Sequence, residues 1–300
     1  MLTIGSRGSK LALWQANWVA GRLRALGEAV RIEVIKTTGD KILDVALSKV
    51  GGKGLFTKEI EEALIEGRID LAVHSLKDMP TEIPAGLTLC AVSEREDPRD
   101  ALAGRRLDEL PRGATVGTSS LRRAAQLRLL RPDLRIEPVR GNVDTRLRKL
   151  DDGEYDAVLL AAAGLRRLGL EERIAEVLEA DLMIPAVGQG ALAIETQELE
   201  SAATVACRKL HHEATAVATT AERALLEALG GGCQVPIGGY ARLKDGELHL
   251  DGIVIAPSAG RPVRGYRVGP PEDAARIGHA LGEELLEHGA REILEEVYGA

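Results

Sequence analysis

Aromatic side chains are scarce in this chain, with two Trp, four Tyr and one Phe making up 2% of its 300 residues. Together with a formal net charge of −7, that scarcity argues against RNA binding, which calls for stacking platforms along a basic surface. Cysteine is equally sparse. Three residues, Cys90, Cys207 and Cys233, are too few and too scattered for a disulfide framework. No uncharged apolar run approaches the ~18 residues that a membrane span requires. The opening Met1-Leu2-Thr3-Ile4-Gly5-Ser6-Arg7 lacks a signal peptide's apolar core, so a cytoplasmic protein with reduced thiols is expected. What remains, 45% hydrophobic and 28% charged residues, is enough for an ordinary folded core divided into two or three domains.

The net charge hides an asymmetry. Between Ser119 and Leu150 nine basic residues (Arg122, Arg123, Arg128, Arg131, Arg135, Arg140, Arg146, Arg148 and Lys149) face only Asp133, Glu137 and Asp144. From Pro271 onward eight acidic residues face Arg276 and Arg291. One region is therefore composed to meet anions.

Leu2 to Gly5 reads as a strand and Ser9 to Leu26 as a helix by its apolar spacing. The Ser6-Arg7-Gly8-Ser9 loop between them lies at a helix N-terminus, which offers unpaired N–H groups to an anion, with Ser9 as the cap. Val30 to Lys36 is a second strand, followed by a loop-rich stretch ending in Gly51-Gly52-Lys53-Gly54. That run lacks the spacing of a phosphate loop and reads as a hinge or lid carrying one cation. Lys58 to Glu66 is a helix, and the strand Asp70 to Leu76 runs into Lys77-Asp78-Met79-Pro80. Ligands collect beyond the carboxyl ends of strands in open α/β sheets, which is where Ser75, Lys77 and Asp78 fall; a plain surface ion pair is the competing reading.

The pattern then repeats. Ile4-Gly5-Ser6-Arg7-Gly8-Ser9-Lys10-Leu11-Ala12 resembles Val116-Gly117-Thr118-Ser119-Ser120-Leu121-Arg122-Arg123-Ala124, and Gly67 to Val73 resembles Gly153 to Leu159. Twin βα-rich lobes facing each other across a cleft fit this, dividing near Glu94 to Pro98 and rejoined through Pro185-Ala186-Val187-Gly188-Gln189-Gly190. Arg122 and Arg123 fall in the first turn of a helix, Arg140 at the end of a strand from Arg135 to Val139, and Arg146 one turn into the next helix. Guanidinium groups take carboxylates two bonds at a time, so their convergence points to a ligand with several carboxylates.

From about His212 the style changes to a helix, an antiparallel meander and two closing helices. The first helix leads into Gly230-Gly231-Gly232-Cys233-Gln234-Val235-Pro236. Either the glycines present the thiol at a defined place on a loop, or they cap the helix and Cys233 is a small buried residue. Cys207-Arg208-Lys209-Leu210-His211-His212 has no zinc spacing; a helix with solvent-facing histidines and no metal is expected there.

Several of these stretches, taken together, resemble the porphobilinogen deaminase family: Gly51 to Phe56, His74 to Pro80, Glu94 to Asp100, Gly117 to Arg123, Arg140-Gly141-Asn142-Val143-Asp144-Thr145-Arg146, Pro185 to Gly190 and Gly231 to Gly238. The resemblance implies two periplasmic-binding-protein-like α/β lobes with a hinge, plus a small α+β C-terminal domain with a three-stranded antiparallel sheet. The domains would be 1–95 plus 190–210, 96–189 and 211–300. It implies a cytoplasmic, monomeric transferase that condenses four porphobilinogen molecules, releasing ammonia, into linear hydroxymethylbilane. A dipyrromethane cofactor would sit on Cys233, with Asp78 as the catalytic carboxylate. Ser9, Lys77, Asp78, Thr118, Ser120, Arg122, Arg123 and Arg146 would hold the cofactor, and Arg7, Arg140, Arg146 and Gln189 the substrate. No metal, nucleic acid or membrane is implied. A two-lobed anion binder without chemistry is the alternative, which the Cys233 loop and the third domain disfavour.

Overall fold

A computed structural model describes residues 1–38, 57–231, 236–257 and 260–298. The predicted Gly51-to-Gly54 lid and the Cys233 position lie outside the described residues. The chain separates into two compact units, Met1–Glu96 with Ala191–Ala216, and Asp97–Gly190 with Val217–Ala300.

The first unit is built on a five-stranded sheet in the order β2-β1-β3-β10-β4. Its strands are β1 (Leu2–Ser6), β2 (Val30–Val34), β3 (Leu71–Ser75), β4 (Leu87–Val92) and β10 (Leu192–Gln197). β1 lies parallel to β2 and β3, while β10 runs antiparallel to both β3 and β4. Helices α1 (Lys10–Ala25) and α2 (Lys58–Ile65) flank it. Ile4, Leu71, Val73 and Ile194 of the sheet close on Ala16, Val19, Ala20 and Leu23 of α1, burial that supplies the main drive to form this layer.

The second unit contains a sheet of the same design, β7-β6-β8-β5-β9. Here β5 (Asp100–Ala103) is the antiparallel strand between β8 (Ala157–Ala161) and β9 (Ile174–Leu178). β6 (Thr115–Gly117) lies parallel to β7 (Arg135–Glu137) and β8. The repeat seen in the sequence is thus a repeat of topology. In register Ile4 pairs with Leu71 and Val116 with Ala157. Asp70 Oδ2 accepts the Thr3 N–H at 2.7 Å, and Asp156 Oδ2 accepts the Thr115 N–H at 2.8 Å. One carboxylate caps the same rung in each sheet.

Helices α3 (Leu121–Leu130), α4 (Val143–Asp151) and α5 (Ala162–Arg167) belong to this second sheet. The expected strand through Val139 stops at Glu137, because Pro138 has no N–H to continue a ladder. Arg140 therefore sits in the loop beyond the strand and does not end it.

Further along, α6 (Ala202–Arg208) and α7 (Glu213–Ala228) precede a three-stranded antiparallel sheet of β11 (Ile237–Lys244), β12 (Glu247–Val254) and β13 (Val263–Gly269). The β11–β12 turn is Asp245-Gly246, both with positive φ (53° and 83°), the geometry that matches strand twist in a two-residue hairpin. α8 (Ala274–Leu285) and α9 (Arg291–Tyr298) follow. Ala221, Leu225, Leu248, Leu250, Leu281 and Leu285 form the core of this part. The two α/β sheets and the third antiparallel sheet agree with the predicted class.

The expectation of a helix displaying His211 and His212 needs correction. α6 ends at Arg208, and both histidines lie in the connection to α7. His212 Nδ1 lies 2.8 Å from Thr215 Oγ1 and accepts the Thr215 N–H at 3.3 Å, and His211 Nδ1 accepts the Val92 N–H. His212 thus serves the start of α7 by accepting an N–H of its first turn, while α6 has already closed on Lys209 as its C-cap.

Candidate active site

Each unit carries its own group of predicted site residues at the carboxyl ends of parallel strands. In the first, Ser9 caps α1, its Oγ accepting the Ala12 N–H at 3.2 Å, as expected. Arg7, half-buried, occupies the loop between β1 and α1. Beside them β3 ends at Ser75, whose Oγ accepts a 2.8 Å bond from Gln15 Nε2 of α1. The next three residues, Leu76–Asp78, make a single 3-10 turn. Leu76 and Met79 are both buried (1% and 2% exposed), and these two apolar anchors fix the turn. Lys77 is left half-buried and Asp78 exposed. An apolar-polar-polar-apolar sequence at a strand end thus turns a carboxylate outward beside an ammonium group.

In the second unit Thr118-Ser119-Ser120 follow the end of β6 at Gly117. Ser120 Oγ caps α3 by accepting the Arg123 N–H at 3.4 Å, Thr118 Oγ1 accepts the Ser120 N–H at 3.2 Å, and Ser119 Oγ donates to Val139 O at 2.8 Å. The half-buried Arg140 and Arg146 flank the Gly141-Asn142 turn. Arg146 Nε donates to Gly141 O at 2.8 Å. Gly141 has φ 105°, and a Cβ there would lie 2.6 Å from Thr145 Cβ, so both backbone angle and space require glycine.

Arg122 and Arg123 are buried, and they are held by a residue that the sequence reading did not single out. Asp100 is fully enclosed at the start of β5. Arg122 Nη1 donates to Asp100 Oδ2 at 2.7 Å, Arg123 Nε to Oδ1 at 2.9 Å, and Gln189 Nε2 to Oδ1 at 2.9 Å. Burial alone would push this carboxyl up, but the two guanidiniums outweigh it and hold it well below the usual carboxylate range. Burial pushes Arg122 down from its ordinary value, against the pull of Asp100. Gln189 Nε2 also donates to Pro98 O at 2.6 Å, tying together the two stretches by which the chain enters and leaves this unit. In the returning stretch Gly188 and Gly190 both have positive φ (70° and 91°).

Two further buried charges escaped notice. Arg167 donates to Gly190 O at 2.6 Å. Glu222 of α7 accepts the Gly188 N–H at 2.7 Å and the Ala241 N–H at 2.8 Å. The available signal was a charge set against apolar neighbours: Asp100 leading into Ala101-Leu102-Ala103, and Glu222 on the helix face of Ala218, Ala221 and Leu225. A separate groove of about 870 Å³, lined among others by Arg99, Ile184, Tyr240, Arg242 and Tyr266, holds none of the predicted site residues. Among the described residues no cluster of His, Cys, Asp or Glu could hold a metal ion, and no helix is long and apolar enough to cross a membrane.

This pairing of capped helix starts with arginines suits an anionic ligand, and comparison with known proteins decides which. Residues 2–205 match the family model for the dipyrromethane cofactor-binding domain of porphobilinogen deaminase, and residues 216–287 match the model for its C-terminal domain. The chain belongs to the porphobilinogen deaminase family. It is 53% identical over 301 residues to the porphobilinogen deaminase of Pelobacter propionicus, covering 99% of this chain and 97% of that protein. Among solved structures it is similar to a periplasmic substrate-binding protein of an ABC transporter from Coxiella burnetii (14% identity, 72% of this chain and 94% of the other, TM-score 0.44). The methionine-binding protein MetQ is comparable (14% identity, 70% and 89%, TM-score 0.44).

Membership makes the chain a transferase of tetrapyrrole biosynthesis, a hydroxymethylbilane synthase. Such an enzyme condenses four porphobilinogen molecules stepwise, with release of ammonia, into linear hydroxymethylbilane, using a dipyrromethane cofactor.

Proposed function

We propose that Asp78 is the catalytic carboxylate of this transferase and that the cofactor is joined to the chain through the Cys233 thiol. The observation that carries the first assignment is the turn at the end of β3, where Leu76 and Met79 are buried and Asp78 is left exposed beside Lys77. Departure of ammonia from porphobilinogen leaves an electron-poor, positively charged pyrrole. A carboxylate at its N–H steadies that charge and relays the proton. Lys77 and the N-terminus of α1 beside it hold acid side chains of the ligand, so that Asp78 meets the ring rather than a competing carboxylate.

The residues present fit a group with acetate and propionate arms. Ser9 and Ser120 open helix N-termini, and Arg122 and Arg123 together outnumber Asp100, the carboxylate between them. When bound, the dipyrromethane supplies the primer to which successive units are added. Ser9, Lys77, Thr118, Ser120, Arg122, Arg123 and Arg146 bind its carboxylates, and Arg7, Arg140, Arg146 and Gln189 bind those of porphobilinogen. The chain works as three domains, 1–95 with 190–210, 96–189 and 211–300, the last presenting Cys233. It acts as a monomer in the cytoplasm.

Asp78→Asn preserves shape and removes the charge. Its single-turnover release of ammonia from porphobilinogen should fall at least about 100-fold, the scale of general acid–base and charge-stabilising contributions. Release at a near wild-type rate removes Asp78 from this role.

A further inference from the structure

Arg122 and Arg123 are two buried cations that share one buried anion. Two guanidinium charges against the single carboxylate of Asp100 leave this cluster with an excess of one positive charge, whereas buried charges are ordinarily paired. The donors are divided unequally. Arg123 is the more fully engaged: Nε on Asp100, Nη1 on Leu159 O at 3.2 Å, and Nη2 on Gln189 Oε1 at 3.3 Å and Asp100 Oδ1 at 2.7 Å. Arg122 uses Nη1 alone, with 2.7 Å bonds to Asp100 Oδ2 and Ile184 O. Its Nε and Nη2 make no hydrogen bond among the described residues.

We propose that Asp100 is a positioning residue for the reaction: it fixes the Arg123 guanidinium and turns the remaining edge of Arg122 toward one carboxylate of the bound pyrroles. Asp100 touches no ligand itself. Its carboxylate draws together the start of β5, the first turn of α3 and the Gln189 loop, so a shift in one is transmitted to the guanidinium that faces the ligand. A fixed fork loses little freedom when it binds, which is where preorganisation gains affinity. The proposal rests on the reading of Arg122 as a ligand-binding residue.

The test compares holoenzyme carrying Asp100→Asn, Asp100→Glu and Arg122→Ala. Each variant is measured for kcat and KM toward porphobilinogen, for melting temperature, and for the mass of covalently carried pyrroles. Asp100→Asn is expected to raise KM about tenfold or more while kcat changes less than about threefold, the split that marks lost uniform binding. Its carried pyrrole mass should fall as well. A lowered melting temperature with unchanged KM overturns the proposal and leaves Asp100 a structural ion. Where Asp100→Asn does not accumulate as folded protein, Asp100→Glu decides, since it keeps the charge and moves it by one methylene. An unchanged KM in that variant also overturns the proposal. Arg122→Ala separates the two layers: unchanged KM and loading there refute the reading of Arg122, whereas a raised KM there with none in the Asp100 variants refutes only the positioning role.

Discussion

Gly278 offers a quantitative test of how the C-terminal part is packed. It lies in α8 against α7, and a Cβ added there would stand 2.2 Å from Ala221 O, 2.7 Å from Ala224 Cβ and 2.9 Å from Leu225 N. Ordinary contact begins at 3.4 Å, and two of the three obstacles are backbone atoms that no rotamer change can move. One turn on, Gly282 meets Ala228 Cβ at 2.5 Å. Gly278→Ala therefore forces the two helices apart by about an ångström and loosens the fully buried Leu225, Leu281 and Leu285. Overpacking of this kind costs about 1–3 kcal/mol, from which about 1 kcal/mol is recovered because alanine favours a helix interior. The net loss of up to about 2 kcal/mol corresponds to a fall of about 2–4 °C per kcal/mol in the melting of a unit this size. Gly21 of α1 is the control, since nothing lies within 4 Å of its added Cβ. Gly21→Ala should gain about 1 kcal/mol from the same chemical change. Urea and thermal unfolding of both variants measure the contrast. A Gly278→Ala protein that gains as much stability as Gly21→Ala would refute the close approach of α7 and α8.

Two further outcomes follow from charge. Glu61 on α2 is held above its ordinary value by burial and by the neighbouring charge of Glu195, against the pull of Thr57 and His74. Being raised, its contribution is fully present below the unfolded value near 4.5 and is lost as pH rises through the folded one. Glu61→Gln should therefore gain melting temperature relative to wild type as pH rises from about 4.5 toward 8, and a constant difference across that range would contradict the assignment. Arg140→Ala should slow addition of later pyrrole units, read as the lengths of chains carried on the enzyme, while leaving thermal unfolding unchanged; an altered melting temperature with normal chain lengths would point instead to a structural role.

The twin lobes were legible because their signals are local: a strand, a Gly-hydroxyl loop and a capped helix, written twice, with Asp70 and Asp156 at matching positions. The Ser9 cap was equally readable, being set by a few neighbouring residues. The fate of the arginines was not. Composition marks Arg122 and Arg123 as cations for an anionic ligand but does not name the carboxylate that also holds them. Asp100, 22 positions earlier than Arg122, meets it only once β5 inserts beside β8. His211 and His212 misled because composition does not show where one helix stops and the next begins: α6 ends at Arg208, and His212 already serves the first turn of α7. The strand before Arg140 was overextended because Pro138 was not weighed against the alternation around it.

The measurement that bears most directly on the whole account is the intact mass of the denatured protein, purified with its thiols protected, beside a Cys233→Ser control. An excess equal to two linked pyrrole units is expected in the wild type and none in the control. A wild-type protein that carries no such mass and gains none on incubation with porphobilinogen, or a control that still carries it, would contradict attachment at Cys233.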